Sequence, residues 1–333
     1  METVVLVLQS LKAARGGWVS GEALASSLGL SRNAVWKAVN ALRRRGYAVA
    51  ASPRRGYRLA AAPDQPLPEE VFPDPVPELV GLEPGSTFHL EYFPELPSTN
   101  DHLRRLGRQG APEGTVVVAE QQTAGRGRRG REWASPPGLG LWLSVLLRPP
   151  LPARDAPLLA LMAAAAVRAA AEQVAAVDAR VKWPNDVMVP QGKVCGVLAE
   201  LDAELDRIRA CILGVGLNVN QTASDFPPHL AGKAASLRMA AGRPVHRAEL
   251  LRWVLRHLGA RYRQVLVEGF EPLLEEVRAF SATLGRPVTV EEADRTWPGL
   301  AEDLAPDGAL LVRPASGGAP VAVYAADVSI RPA

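Results

Sequence analysis

The chain has 333 residues, 47% of them hydrophobic and 22% charged, which is ordinary for soluble globular protein and too long for one average domain. The longest apolar run, 158–167, is short of a membrane span and ends at Arg168. Residues 1–3 carry no basic leader, and Cys195 and Cys211 form neither a CxxC pair nor a disulfide framework, so a cytoplasmic location is expected. A net charge of +3 hides an asymmetry: residues 1–60 carry ten basic and two acidic residues, net +8, and the remainder is at −5. A small basic module is joined to a larger, mildly acidic one, and a nucleic-acid partner is to be sought at the basic end.

Val4, Val5, Leu8 and Leu11 have helical spacing over 4–14. Ser20 is placed to cap a second helix holding Ala23, Leu24 and Leu28. Ser31 is placed to cap a third, running to about Arg45 with Val35, Val39 and Leu42 inward, and Gly46 to end it in a left-handed conformation. Residues 47–51 and 57–59 read as strands around a basic turn at 52–56. Three helices and a basic-tipped hairpin resemble the winged helix-turn-helix. The third helix would then present Ser31, Arg32, Asn33, Trp36, Lys37 and Asn40 to DNA, since Arg and Asn read base edges in the major groove. The wing residues Arg54 and Arg55 would meet phosphate or the minor groove. The plainer alternative is a docking or dimerisation module with a solvated basic face.

Residues 61–85 hold seven prolines and six acidic residues, the composition of a semi-rigid extended linker. Strand-like and helix-like segments then alternate. Strands are predicted at 88–93, 115–120, 139–147, 181–183, 193–201 and 208–219. Helices are predicted from Ser98 to about Gly110 and over 158–176, 247–267 and 270–279. From 283 onward, Val288/Val290, Leu310/Val312 and Val321/Val323 alternate as in a small barrel of short strands. The expected organisation is a multi-domain α/β chain. It comprises a winged helix-turn-helix over 1–62, a linker over 63–85, an α+β domain with a mixed sheet over 86–281, and a small C-terminal β-barrel over 282–333.

The most informative stretch is 122–133, with four arginines, three glycines and Trp133 in a dozen residues. Glycines let backbone N–H groups approach a ligand, arginine forks bind carboxylate or phosphate, and the tryptophan offers a flat face for a base. Together they suggest an acyl-adenylate. The glycines also fit G-x-G-x-x-G, but they do not open an apolar helix, so a dinucleotide fingerprint is rejected. A disordered Arg/Gly tract is the bland alternative, disfavoured by strand-like sequence on both sides.

Four elements in order carry a family resemblance. They are Ser98-Thr99-Asn100, the loop from Gln122 through Arg131, Lys182-Trp183-Pro184-Asn185-Asp186, and Lys193 to Gly196 with Gly214 to Asn218. The chain resembles biotin–protein ligases and, with its winged helix, their bifunctional form that also represses the biotin operon. That resemblance implies an SH3-like C-terminal barrel and a two-step reaction through biotinyl-5′-AMP, made from biotin and ATP with Mg2+, to a lysine of the biotin carboxyl carrier protein. It also implies operator DNA as a partner and a homodimer when the adenylate is bound. Ser98, Thr99, Asn100 and Gln122 would hold biotin, with Arg126, Gly127 and Arg128 closing over it and Gly196 and Gly214 beneath. Arg128 and Arg131 would meet phosphate, and Trp133 would stack on adenine. Lys182, Asn185, Asp186 and Asn218 would serve the nucleotide end. Lys193 would stand between carboxylate and α-phosphate, so Lys193, Arg128 and Asp186 are the catalytic candidates. Against these stand plainer readings: Trp183 as a buried aromatic, Asn218 as a strand-end turn residue, and Ser98 to Asn100 as a helix cap. Cys195 replaces a common family alanine, and the five histidines have no metal-ligand spacing. Competing functions are a metabolite-sensing transcription factor, a ligase for another acyl group such as lipoate, and a ligase with a vestigial winged helix.

Overall fold

A computed structural model describes residues 2–72, 87–204, 206–292, 295–324 and 327–330. They fall into two compact units, 1–65 and 66–333.

In the first unit α1 (Glu2–Ala13), α2 (Gly21–Leu28) and α3 (Arg32–Arg44) precede a hairpin of β1 (Ala48–Ser52) and β2 (Gly56–Ala61). Both anticipated caps form: Ser20 Oγ accepts from Ala23 N at 3.0 Å and Ser31 Oγ from Ala34 N at 3.1 Å. These hydroxyls satisfy N–H groups that a helix start leaves without partners. Of the residues the periodicity nominated, Leu8, Leu11, Leu24, Val35, Val39 and Leu42 are buried, Val4, Val5 and Leu28 are half-buried and Ala23 is exposed; Val7 joins the core in their place. Gly56, at φ +92°, is obligatory: a Cβ there would lie 2.1 Å from Val19 O. That close approach lets Val19 and Tyr57 exchange backbone hydrogen bonds, tying the wing to the α1–α2 connection.

The second unit starts earlier than the composition suggested. Pro68 opens a short helix, α4 (Pro68–Val71), where a missing N–H costs nothing. Val71 is fully buried, and Arg252 donates to the carbonyls of Val71 (3.0 Å) and Glu70 (2.7 Å). This part of the expected linker is therefore docked structure, because two anchored carbonyls and a buried valine outweigh the proline-rich composition. The rest of the expected linker, from 73, lies outside the described residues.

A seven-stranded mixed sheet follows, built from β3 (His89–Leu96), β4 (Thr115–Gln122), β5 (Gly140–Leu147), β6 (Arg180–Lys182), β7 (Asp186–Val189), β8 (Gly192–Glu204) and β9 (Arg207–Asn218). Its order is β3-β4-β5-β9-β8-β7-β6, with only β3 and β4 parallel. α5 (Thr99–Arg108) connects that parallel pair and lies on one face, packing its Leu103 in a cluster with Val117, Leu146 and Ile212. The other face packs α6 (Ala156–Ala175) and α8 (Arg247–Glu268), with α7 (Leu237–Ala241) and α9 (Glu271–Ala279) beside them. α6 is apolar and long enough to cross a membrane by composition, but most of it is buried in this core. Its alanines let it lie close to the sheet, and Arg168, capping over the Phe280 ring at 3.7 Å, pairs with Glu172.

Five antiparallel strands end the chain: β10 (Pro287–Glu291), β11 (Thr296–Leu304), β12 (Leu310–Pro314), β13 (Val321–Val323) and β14 (Asp327–Ile330). Their order is β13-β12-β11-β10-β14, and among the described residues no ladder joins β13 to β14. The expected small β module is present as an open five-stranded sheet. Trp183 ties it to the larger sheet, its indole N–H donating to Gly308 O at 2.9 Å while its backbone N–H donates to Thr283 Oγ1 at 3.1 Å. The plainer reading of Trp183 as a buried structural aromatic is the one its contacts favour.

Candidate active site

Glycines make the hollow. On the α5 face, Ser144 of β5 lies opposite Gly214 of β9, and Gly216 opposite Gly196 of β8. A Cβ at Gly214 would lie 2.3 Å from Asn100 Oδ1, and one at Gly216 2.4 Å from the Trp133 indole. Side chains from above therefore rest on bare backbone. The cavity over this floor has a volume of about 300 Å³, at the lower end of the range for small-molecule sites.

Ser98, Thr99, Asn100, Gln122, Arg126, Gly127, Arg128, Lys193, Gly196 and Gly214 all line it, as do Arg131, Trp133, Asn185, Asp186 and Asn218. Of the expected ligand residues only Lys182 is set back. Burial draws its ammonium below the usual lysine range, with Asp186 working the other way.

The trio at the start of α5 serves two purposes. Ser98 is the N-cap, its hydroxyl accepting from Asp101 N at 3.3 Å. Thr99 donates its backbone N–H to Gln122 Oε1 at 2.9 Å. The Ser144 hydroxyl reaches Asn100 Oδ1 at 2.6 Å and Thr99 Oγ1 at 2.7 Å, and Asn100 Nδ2 donates to Glu200 Oε2 at 2.7 Å. Neither Ser144 nor Glu200 belongs to a recognisable local motif; strand pairing brings them here.

Lys193 reaches across the floor, its Nζ 2.7 Å from Asp186 Oδ1 and 5.3 Å from the centre of the Trp133 ring. The arginine loop forms a tight cover, with Gly127 N donating to Arg131 O at 2.7 Å and Trp133 N to Gly125 O at 2.9 Å. Its arginines all meet oxygen. Arg126 pairs with Asp101 (2.6 Å), Arg128 donates to Asn185 Oδ1 (3.1 Å), and Arg129 and Arg131 reach Asp327 of the C-terminal sheet (3.2 and 2.6 Å). Arg129 sits at φ +56°, an uncommon conformation for a side chain of its size. The Trp133 ring lies on the glycine floor, and its buried indole N–H has no partner.

Asn218 lines the cavity, but its amide holds structure: Nδ2 donates to Ala235 O and Oδ1 accepts from Gln221 Nε2, both at 3.1 Å. It thereby fixes one wall that sequence reasoning overlooked, where Gln221, Asp225, Phe226, Pro227, Leu230 and Lys233 line the cavity. The available signal was an aromatic residue, Phe226, in a proline-containing loop directly after β9.

In the N-terminal unit Arg32, Asn33, Trp36 and Lys37 are exposed along α3, and Arg54 and Arg55 at the hairpin tip. Trp36 leaves 54% of its surface to solvent, far more than a core residue would. Ser31 is engaged as a cap, and Asn40 is partly buried and accepts from Arg43 at 3.4 Å. Arg55 stacks over Trp18 at 4.6 Å, which stiffens the wing.

Three family models match in the order of these parts: an HTH domain over 6–58, the Biotin/lipoate A/B protein ligase family over 92–218, and the Biotin protein ligase C terminal domain over 283–331. The bifunctional ligase/repressor BirA of Bacillus subtilis (strain 168) is 37% identical over 97% of this chain and 97% of its own. The chain belongs to the bifunctional biotin protein ligase family. The biotin–[acetyl-CoA-carboxylase] ligase of Mycobacterium tuberculosis (strain ATCC 25618 / H37Rv) is 35% identical over 75% of this chain and 92% of its own. Among solved structures, the biotin protein ligase of Aquifex aeolicus in complex with biotin and ATP aligns with a TM-score of 0.63 and 29% identity, covering 74% of this chain and 99% of that one. This family member thus combines a ligase fold with an N-terminal helix-turn-helix, and most of the cavity lining, from Ser98 to Asn218, lies in the part matched by the ligase model.

Proposed function

We propose that this chain makes biotinyl-5′-AMP from biotin and MgATP, then transfers the biotinyl group to a lysine of the biotin carboxyl carrier protein of a carboxylase. In the first step a biotin carboxylate oxygen bonds to the α-phosphorus and pyrophosphate leaves. In the second the acceptor amine bonds to the acyl carbon and AMP leaves. The first step brings a carboxylate against a polyphosphate, so the site must neutralise charge, and both steps require the reactants to be aligned. The observation that carries this reading is one cavity holding Lys193 on its floor, the Ser98–Asn100 trio at one end and an arginine loop above. Ser98, Thr99, Asn100 and Gln122 are assigned to biotin, Arg128 and Arg131 to phosphate, and Lys193, backed by Asp186, to the charge at the reacting centre. Phe226 joins Trp133 as a candidate face for adenine.

No cluster of three or more acidic, His or Cys side chains able to hold a metal occurs among the described residues. Mg2+ is therefore assigned to the nucleotide as part of the substrate, held by phosphates and water. The second activity we propose is repression: the adenylate-bound enzyme forms a homodimer, and two winged helices meet a two-fold operator in the cytoplasm. The C-terminal sheet is read as an SH3-like module whose Asp327 steadies the arginine loop. A polar trio suits the ureido group of biotin better than a dithiolane, which offers nothing to hydrogen-bond.

Pyrophosphate release that depends on both biotin and ATP is the test. Release with lipoate instead, or with neither acid, overturns the substrate assignment or the activity. A second expectation concerns the loop. The Arg126–Asp101 pair is substantially exposed on both sides, so it contributes only about 0–1 kcal/mol. Amide exchange across 124–133 will accordingly be fast in the free protein and slow when biotinyl-5′-AMP supplies a multivalent anion. Equal protection in the two states rejects the closing loop.

A further inference from the structure

We propose that Glu200 is a positioning residue for the biotin end of the pocket, holding the Asn100 amide in one orientation and seating the arginine loop through Arg104 and Asp101. This inference rests on the ligase reading above. Glu200 lies on β8, beyond the glycine floor, and each of its oxygens has separate work. Oε2 accepts from Asn100 Nδ2 at 2.7 Å, and Oε1 accepts from Arg104 Nη2 at 2.6 Å. Arg104 also donates to Asp101 Oδ1 at 2.9 Å, the same oxygen that receives Arg126 of the loop at 2.6 Å, and Arg126 stands 3.9 Å from Glu200 Oε1.

A carboxylate accepts and never donates, so Glu200 forces the nitrogen of Asn100 toward itself. The carbonyl then faces Ser144, whose hydroxyl lies 2.6 Å away. Asn100 is 5% exposed and rests on Gly214, so it has little room to rotate. One N–H of its amide remains, in a direction set by Glu200. Two acids and two arginines compensate one another in this group. The outer pairs are exposed and weak; the inner bond to the buried amide is the one that matters for binding.

Glu200→Gln tests the two-sided arrangement, because Oε1 and Oε2 each face a donor and the amide turns one of those positions into an NH2 that cannot accept. For this nearly isosteric variant we expect a biotin KM in the adenylation assay about tenfold higher, as for loss of one charge-assisted hydrogen bond. Its kcat and ATP KM should stay within about twofold, the pattern of lost ground-state binding. The cycle of Asn100→Ala, Glu200→Ala and the double variant adds a readout that general destabilisation would not mimic. The double variant should lose about as much biotin affinity as either single one, since the two groups act as a unit. Additive losses, or a wild-type biotin KM in both Glu200 variants, overturn the inference while the ligase reading stands. A wild-type chain that binds no biotin overturns the ligase reading and this inference with it.

Discussion

Lys193→Ala is expected to slow biotinyl-5′-AMP formation by about two to three orders of magnitude, as for loss of one preorganised charge at a reacting centre. The geometry supports the role proposed for Lys193: its ammonium is 2.7 Å from Asp186 Oδ1 and shares the floor with Gly196, where a side chain would crowd it. The fold should survive, because the lysine head lines a cavity and packs no core. Transfer from pre-made biotinyl-5′-AMP should suffer less, since no polyphosphate then approaches a carboxylate. The measurement is pyrophosphate release compared with single-turnover transfer, alongside thermal unfolding of the variant. Near-normal pyrophosphate release would remove Lys193 from the reacting centre. Equal losses in both half-reactions would move its role to acyl positioning.

Removing residues 1–65, the N-terminal unit, should abolish operator binding and leave ligation intact. For the whole chain, affinity for a biotin-operon fragment should rise when biotin and ATP are added together. A ligand can shift association only by binding the associated state more tightly, and loops ordered over the adenylate would supply that difference. In the proposed homodimer two basic modules would meet phosphate at once. If about six phosphates are neutralised, affinity falls roughly a thousandfold or more between about 50 and 200 mM salt. Titration with and without both ligands, at two salt concentrations, reads all of this. Ligand-independent affinity would leave a ligase whose helix-turn-helix has another use, and ligation lost on truncation would show that the two units are not separable.

Much of this was readable along the chain. Ser20 and Ser31 announce helix starts because a cap is settled within three residues. The alternation of Val288/Val290, Leu310/Val312 and Val321/Val323 marks strands, and the glycines at 196 and 214 mark a bare patch of backbone, for similarly local reasons. Nearly every ligand residue nominated by the ordered motifs from Ser98 to Asn218 lines the cavity, Lys182 excepted, but the wall from Gln221 to Lys233 was not nominated. What was misread was also local: Pro68 and its neighbours look like linker, because composition does not reveal that Arg252, far along the chain, holds the carbonyls of Glu70 and Val71.

The sequence by itself determined the basic and acidic halves, the helix caps, the arginine loop and the ordered set of ligand motifs, since each is a property of neighbouring residues. Only the tertiary structure decided which distant groups complete the site. Glu200 meets Asn100 across a hundred residues, Asp327 reaches the arginine loop from another sheet, and Phe226 arrives on a wall pinned by Asn218. Strand register and sheet order place such groups, and a shift of one residue would turn Glu200 to the opposite face. That placement depends on the whole packed sheet, so it leaves no mark in the few residues around each side chain.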